Sequence, residues 1–477
     1  MRRRRRRRRN LTYQRLGSNE RIRRQRSRRN AGLLAVGIGL AAVLVLVLLV
    51  VFFGGAEDAE SHSIVSGTPI GGNAQSSTTG SLSQESGMQD GNEQDSGETG
   101  EAIEPGQEGT AESGEAEGEG AGSGETDAGS DGTDTLADEW NYHAEDRPKV
   151  KGIYVTGPLA GNDRFEELLT LVDETELNAM VIDVKNDGGE ITYKMNLESA
   201  QSMGACINYI RDMESFMARL KEHGIYTIAR IVCFKDPYLA ANRPELALKT
   251  TDGRPVVDGH DVAWVNPYEE DVWKYLVDVA KKAGEVGFDE IQFDYVRFPI
   301  GDVADAADYG VDMTTYPKQQ AITGFLNYAV EELRPLGLPV TADVFGTIIG
   351  SETDVKRVGQ DYAEIGATID AVCPMVYPSH YGNGVFGLAV PDAQPYETVL
   401  AAMQDSAEEL SVIPEESRAV VRPWLQAFTA NWVKGYIPYG GEQIRQQIQA
   451  VYDAGYEEWI LWNASNRYSA DGLLGGE

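Results

Sequence analysis

The sequence predicts a (β/α)8 TIM barrel over residues 147–477, preceded by a transmembrane helix and a disordered linker. Three observations predict the barrel: eight short β-rich apolar runs, seven amphipathic stretches of helical length between them, and glycine or proline where those helices must stop.

In chain order, residues 1–30 come first and hold fifteen Arg and one Glu, a net of +14. Residues 31–53 form an uncharged run of 23 dominated by Leu, Val, Ala and Gly. At about 1.5 Å rise per residue, such a helix crosses a hydrocarbon core of about 30 Å. A cleaved secretory signal has an apolar region of only about 7–15 residues, so an uncleaved signal anchor is the better reading. The Arg excess before the span, against Glu57, Asp58 and Glu60 after it, sets the N-terminus in the cytoplasm and the rest in the extracellular space of a single-pass protein. The Arg2 to Arg9 tract also suits phosphates, but with a span directly behind it the topogenic reading is preferred and no nucleic-acid partner is expected.

Residues 54–146 carry 23 Asp or Glu, no Lys or Arg, and little that is aromatic or β-branched. This stretch cannot bury enough apolar surface to offset its ordering entropy, so it reads as a self-repelling spacer. Residues 147–477 supply the remaining −24 of the formal −33, so the net charge describes no single surface. The three cysteines, Cys206, Cys233 and Cys373, are too few and scattered for a disulfide framework.

Strands are expected at 150–156, 179–184, 226–234, 290–296, 339–345, 371–377, 419–425 and 458–462, and helices at about 163–177, 208–222, 268–285, 318–334, 354–366, 395–410 and 441–454. His223-Gly224, Gly284 and Gly287, Pro335 and Gly337, and Gly455 stand where helices give way to the third, fourth, fifth and eighth strands. A doubly wound open sheet is the alternative, without a GxGxxG or P-loop after the first strand to support it. After Trp462 only a Gly-rich tail remains, so the barrel must close without an eighth helix or borrow cover from residues near Trp140.

In such barrels the active site lies at the C-terminal ends of the strands. Period-2 alternation puts Val181, Asp183 and Lys185 on one face of the second strand, Gln292 and Asp294 on the lumen side of the fourth, and Thr341 with Asp343 on the fifth. Neighbouring strands thus present two carboxylates in an otherwise apolar barrel. One can protonate a leaving oxygen while the other attacks the anomeric carbon or activates water. The bland reading makes Asp183, Asp294 and Asp343 structural ion pairs with Arg230, Arg297 or Lys185, or caps of the following helices. Other strand ends add Asp236, Tyr377, His380, Trp424, Gln426, Trp462, Asn463 and Arg467. Aromatics beside amides and carboxylates suit sugars, which stack through apolar ring faces and hydrogen-bond through hydroxyls. The segment from Lys235 to Asn266 exceeds an ordinary βα loop and is expected to fold over the mouth. No HxH, HExxH or GxSxG spacing occurs, so no metal or cofactor is expected, with only an all-carboxylate Mg²⁺ or Ca²⁺ site left open.

The stretches KGIYVTG, VIDVKNDGG, GFDEIQFDYVRFP, TADVFG and CPMVYPSHY resemble a bacterial family of glycosyl hydrolase domains with a TIM barrel, over about residues 149–470; the stretch from Gln292 to Pro299 is the most specific. The chain is more distantly similar to α-amylase-like glycoside hydrolase barrels, whose nucleophilic Asp ends the fourth strand and whose acid/base carboxylate ends the fifth. That resemblance implies Asp294 as nucleophile and Asp343 as acid/base, although the acid is usually Glu. The Arg that precedes the nucleophile by two residues in those barrels falls here on Gln292, and Arg297 is the expected substitute counter-charge. Together these readings imply hydrolysis or transfer at a glycosidic bond of a poly- or oligosaccharide. Asp183, Lys185, Arg230, Asp236, Arg297, Tyr377, Gln426, Trp462 and Asn463 would position the substrate. A carbohydrate-binding or cell-wall-associated barrel without turnover is the alternative, and a lyase a weaker one.

Overall fold

The computed structural model describes residues 140–143, 147–305 and 307–475. The basic segment 1–30, the expected span 31–53 and most of the expected linker lie outside them; among the described residues no helix is long and apolar enough to cross a membrane.

Eight parallel strands form a closed barrel: β1 (Lys151–Val155), β2 (Ala179–Lys185), β3 (Tyr226–Val232), β4 (Glu290–Asp294), β5 (Val340–Phe345), β6 (Ala371–Met375), β7 (Trp424–Gln426) and β8 (Trp459–Trp462). β1 closes the ring by pairing Gly152 with Ala179 of β2 and Ile153 with Leu461 of β8. The alternation expected of a two-faced strand holds. Tyr154, Val181, Ile228, Cys373, Trp424 and Ile460 pack together inside, while Phe293 turns outward onto Phe325 of the helix Lys318–Leu333 with ring centroids 5.0 Å apart. Burying each such side chain contributes about 1.5–3 kcal/mol.

Four departures from the expected elements have local causes. The seventh strand is interrupted: Pro423 has no N–H to donate, so Val420–Val421 and Trp424–Gln426 pair with β6 separately. The helix expected at 354–366 is two helices, Glu352–Val358 and Tyr362–Gly366, because Gly359 turns left-handed at φ 81° and Asp361 caps the second, accepting from the Glu364 N–H. The helix expected at 208–222 begins only at Met213, where Asp212 accepts from the Ser215 N–H; before it, Cys206–Ile210 is a strand. The segment from Lys235 to Asn266 holds a helix, Pro237–Asn242, and a small meander whose Lys249–Thr250 pairs with Ala307–Asp308 of the loop after β4.

The missing eighth helix is replaced from both ends of the domain. Gly472 packs against Gly441 at the start of the helix Gly441–Asp453, and Gly475 bridges Thr175 after the helix Phe165–Glu174, so the tail lies between the two helices that would flank it. Residues 140–143, counted with the linker in the sequence, dock beneath the barrel. Trp140 Nε1 donates to Asp370 at 2.9 Å, and Tyr142 is buried with its hydroxyl 2.5 Å from Glu290.

The lumen is not uniformly apolar. Its lower layer is a buried charged network: Arg422 Nη1 lies 2.6 Å from Glu290 and its Nε 3.0 Å from Glu458, while Thr341 Oγ1 donates to Glu290 at 3.0 Å. Arg147 completes it, pairing with Glu458.

Candidate functional site

The upper layer of the lumen gathers residues of seven of the eight strands, β6 excepted. In the ladder Asp183 of β2 sits opposite Arg230 of β3, and Arg230 opposite Gln292 of β4, so Arg230 lies one lumen layer below Asp294 and reaches up to it. Gln292 in turn faces Thr341 of β5, which places Asp294 and Asp343 two residues further along neighbouring strands.

Arg230 is the hub. Its Nη1 meets Asp183 at 2.7 Å, its Nη2 meets Asp187 at 2.8 Å, and its Nε and Nη2 donate to Asp294 Oδ2 at 2.8 and 2.6 Å. The guanidinium also lies 5.4 and 5.6 Å from the ring centroids of Tyr154 and Trp462, which stack on each other at 4.1 Å. The other Asp294 oxygen accepts from the Tyr295 N–H at 2.6 Å, across a backbone in which Tyr295 takes the left-handed φ of 48°. Tyr154 donates to Asp183 Oδ2 at 2.7 Å, and burial pushes the Asp183 carboxyl up to about 6 against the opposing pull of Arg230.

Asp343 is in a different environment. Its Oδ1 accepts from Trp424 Nε1 at 2.6 Å, and its buried Oδ2 has no hydrogen-bond partner among the described residues. Burial first, and then the neighbouring Asp294 carboxylate, drive its carboxyl well above the ordinary range. Tyr377 packs in the lumen cluster with Trp424, and burial and then the charges of Asp343 and Asp294 push its phenol up.

The remaining candidates are placed as follows. Lys185 and Asp236 face each other at 3.0 Å, fully buried, with Lys185 donating to the Val232 carbonyl and Asp236 capping the helix Pro237–Asn242. Arg297 lies over the rings of Phe345, Tyr295 and Trp264, at 4.5, 5.0 and 5.1 Å, and donates to the Phe298 carbonyl; the guanidinium that meets Asp294 is that of Arg230. Gln426 accepts from Ser379 N–H and donates to Asp392 and to the Phe428 carbonyl, so its amide ties the loops after β6 and β7. Asn463 does the same between Ala427 and Arg467. Trp462 alone of these stands in the Arg230 cluster.

Tyr154 is a member that the sequence reading misses, and Trp424 is read there only as a strand-end aromatic suited to sugars. Tyr154 was visible in principle, because period-2 alternation in KGIYVTG puts Gly152, Tyr154 and Thr156 on one face. That the Trp424 indole N–H serves Asp343 depends on a contact across β6 that no local pattern encodes. Among the described residues no group of three or more His, Cys, Asp or Glu is arranged to hold a metal ion.

No curated protein matches the chain. Among solved structures, a hypothetical protein from Ruminiclostridium thermocellum is 38% identical, covering 40% of this chain and 97% of that one, with a TM-score of 0.37. The glycoside hydrolase domain of PgaB (BpsB) from Bordetella bronchiseptica is 14% identical, covering 69% and 99%, with a TM-score of 0.50, a likeness of barrel fold. The spore cortex-lytic enzyme SleL of Bacillus megaterium is 13% identical, covering 69% and 73%, with a TM-score of 0.40. The family model described as "Putative glycosyl hydrolase domain" matches residues 152–468, from the first barrel strand to beyond the last, and the chain belongs to that family.

Proposed function

We propose that the barrel hydrolyses glycosidic bonds of a poly- or oligosaccharide, with Asp343 as general acid/base and Asp294 as nucleophile or stabilising carboxylate. The observation that carries this is the difference between the two acids. Asp343 is driven towards its protonated form by burial and by Asp294, one oxygen is fixed by Trp424, and the other has no hydrogen-bond partner among the described residues. Asp294 faces two N–H groups of Arg230. Two carboxyls on neighbouring strands in unlike environments are what glycoside hydrolysis uses, one to deliver a proton and one to meet developing positive charge. Arg230 takes the position that the α-amylase-like comparison left vacant on β4, reaching the nucleophile from β3. Tyr154 and Trp462 supply rings beside the Arg230 that holds Asp294, and Tyr377 adds one from the same lumen cluster.

One observation favours a second reading, a carbohydrate-binding barrel without turnover. Asp294 and Asp343 are only 6% and 1% exposed, and three carboxylates converge on Arg230 as in a structural ion cluster. The deciding experiment measures reducing-sugar release by the full-length chain and its Asp294→Asn and Asp343→Asn variants on cell-wall and storage polysaccharides. Release by the wild type and by neither variant supports the hydrolase. Glycan binding without release supports the binding protein.

The same reading sets the barrel outside the cell, on a spacer anchored by residues 31–53 with the N-terminus in the cytoplasm; the 23-residue uncharged run and the Arg excess before it support this. Protease treatment of intact expressing cells should remove the barrel, and alkaline extraction should leave the N-terminal fragment in the membrane. A barrel protected from protease in intact cells would sink the topology.

A further inference from the structure

The loop between β7 and the helix Gly441–Asp453 carries aromatic rings that the two-carboxylate site does not use. Trp432 is 45% exposed and Tyr436 43%, the most exposed aromatic side chains of the described residues. Phe428, half-buried, stacks on Trp432 with centroids 6.0 Å apart and planes 19° from parallel. At its other side Phe428 meets Tyr377 edge to face at 5.9 Å, and Tyr377 is buried in the lumen cluster that holds Trp424, the donor to Asp343. The rings therefore run from that cluster to the surface, and exposure rises along them.

The loop's backbone is tied down while its rings face water. Ala427 N–H donates to the Trp462 carbonyl at 3.0 Å and the Ala427 carbonyl accepts from Asn463 at 2.6 Å. Gln426 holds the Phe428 carbonyl at 3.1 Å, Tyr439 N–H donates to Thr429 at 3.0 Å, and the Tyr439 hydroxyl donates to the Asp392 carbonyl at 2.9 Å. Ala430 is fully buried beneath the loop. A rigid support that holds a solvated indole in place has already met the ordering cost of binding. Flat, pre-placed aromatic faces beside exposed polar groups such as Asn431 and Lys434 suit a ligand with apolar ring faces and hydroxyl edges rather than a continuous apolar protein surface.

We propose that this loop is a chain-holding subsite: an extended glycan occupying the mouth continues outward over Phe428 and Trp432, so the ligand is a polymer several sugar units long rather than a short oligosaccharide. The inference rests on the mouth being a glycan site, and the test separates the two. Full-length Asp343→Asn protein, which on the reading above does not turn over its ligand, is titrated by calorimetry with malto-, cello- and chito-oligosaccharides from disaccharide to hexasaccharide, with and without Trp432→Ala. Affinity for one series should rise with chain length. Trp432→Ala should weaken hexasaccharide binding by about tenfold, the scale of losing one aromatic anchor, and leave disaccharide binding where it was. Because Trp432 is exposed, the thermal midpoint of the variant should stay at that of its parent, which rules out misfolding as the cause. If affinity rises with length equally in the Trp432→Ala protein, the subsite is overturned while the glycan reading of the mouth stands. If no series binds either protein, the glycan reading falls and the subsite with it.

Discussion

Asp343 and Asp294 show how the same buried layer can compensate two acids unequally. Desolvation disfavours a carboxylate wherever it is buried, and what differs is the compensation. Arg230 gives Asp294 two hydrogen bonds and Asp183 one, whereas Asp343 has only the Trp424 indole N–H. The consequence for stability has a definite sign. Below the unfolded value near 3.8, both states hold the Asp343 proton and the residue costs nothing. As pH rises above it, the unfolded chain releases a proton that the folded chain keeps, so stability falls. Asp183, raised to about 6, acts in the same direction over the range from about 4 to about 6. Asp343→Asn removes that titration without removing the side chain's volume. Its thermal midpoint should match the wild type near pH 4 and exceed it increasingly towards neutrality, while turnover is lost. A variant less stable than wild type at neutral pH would mean that Asp343 is ionised in the folded state and is no general acid.

At the scale of elements, the barrel delivers each side chain through strand alternation, and that part was readable. Asp183, Gln292, Asp294, Thr341 and Asp343 stand on the lumen side where period 2 put them, because the direction of a strand side chain is set locally. What a side chain touches depends on the stagger between strands, which no single segment encodes. Arg297, three residues past the end of β4, is the nearest cation to Asp294 in sequence, yet Arg230 reaches it from β3. Gln426 and Asn463 were readable as strand-end amides, but not as ties between loops. The β7 element carries its own prediction. Trp424 projects into the lumen and fixes Asp343 Oδ1, so Trp424→Phe keeps most of the packing and deletes one donor to the carboxyl. A hydrogen bond to the charged form lowers a carboxyl's pKa, so its loss should raise that of Asp343 further. The alkaline limb of the kcat profile should then move to higher pH, at a stability cost of about 1–3 kcal/mol for the unmet acceptor. A fall in kcat with an unshifted profile would make Trp424 a packing residue only.

For the whole molecule, the two ends of the lumen do different work. The upper layer spends buried charge on the site, while the lower layer closes the barrel against the incoming chain. There Arg422, fully buried, joins Glu290, Glu458 and the Tyr142 hydroxyl, and so stitches β4, β7 and the start of β8 to residues that precede the first strand. The sequence showed Glu290, Arg422 and Glu458 only as charges at strand starts, and their convergence follows from closure of the ring. The energetics of such a cluster are asymmetric. Removing one partner strands an opposite charge in low dielectric and costs about 3–5 kcal/mol, whereas replacing both partners with apolar groups of similar volume is often neutral. Arg422→Met should therefore lower stability by about 3–5 kcal/mol, because Glu290 loses its main counter-charge. Glu290→Leu alone should cost a similar amount. The double variant should recover much of the loss, giving an interaction energy of about 1–3 kcal/mol in a double-mutant cycle from urea unfolding. Since this network lies at the opposite end of the lumen from Asp294 and Asp343, the double variant should also keep its turnover at temperatures where it is folded. Additive losses in the cycle would mean that Glu290 and Arg422 stabilise the barrel independently of one another, and closure of its lower end would then rest on the docked residues Trp140 and Tyr142 rather than on the ion pair.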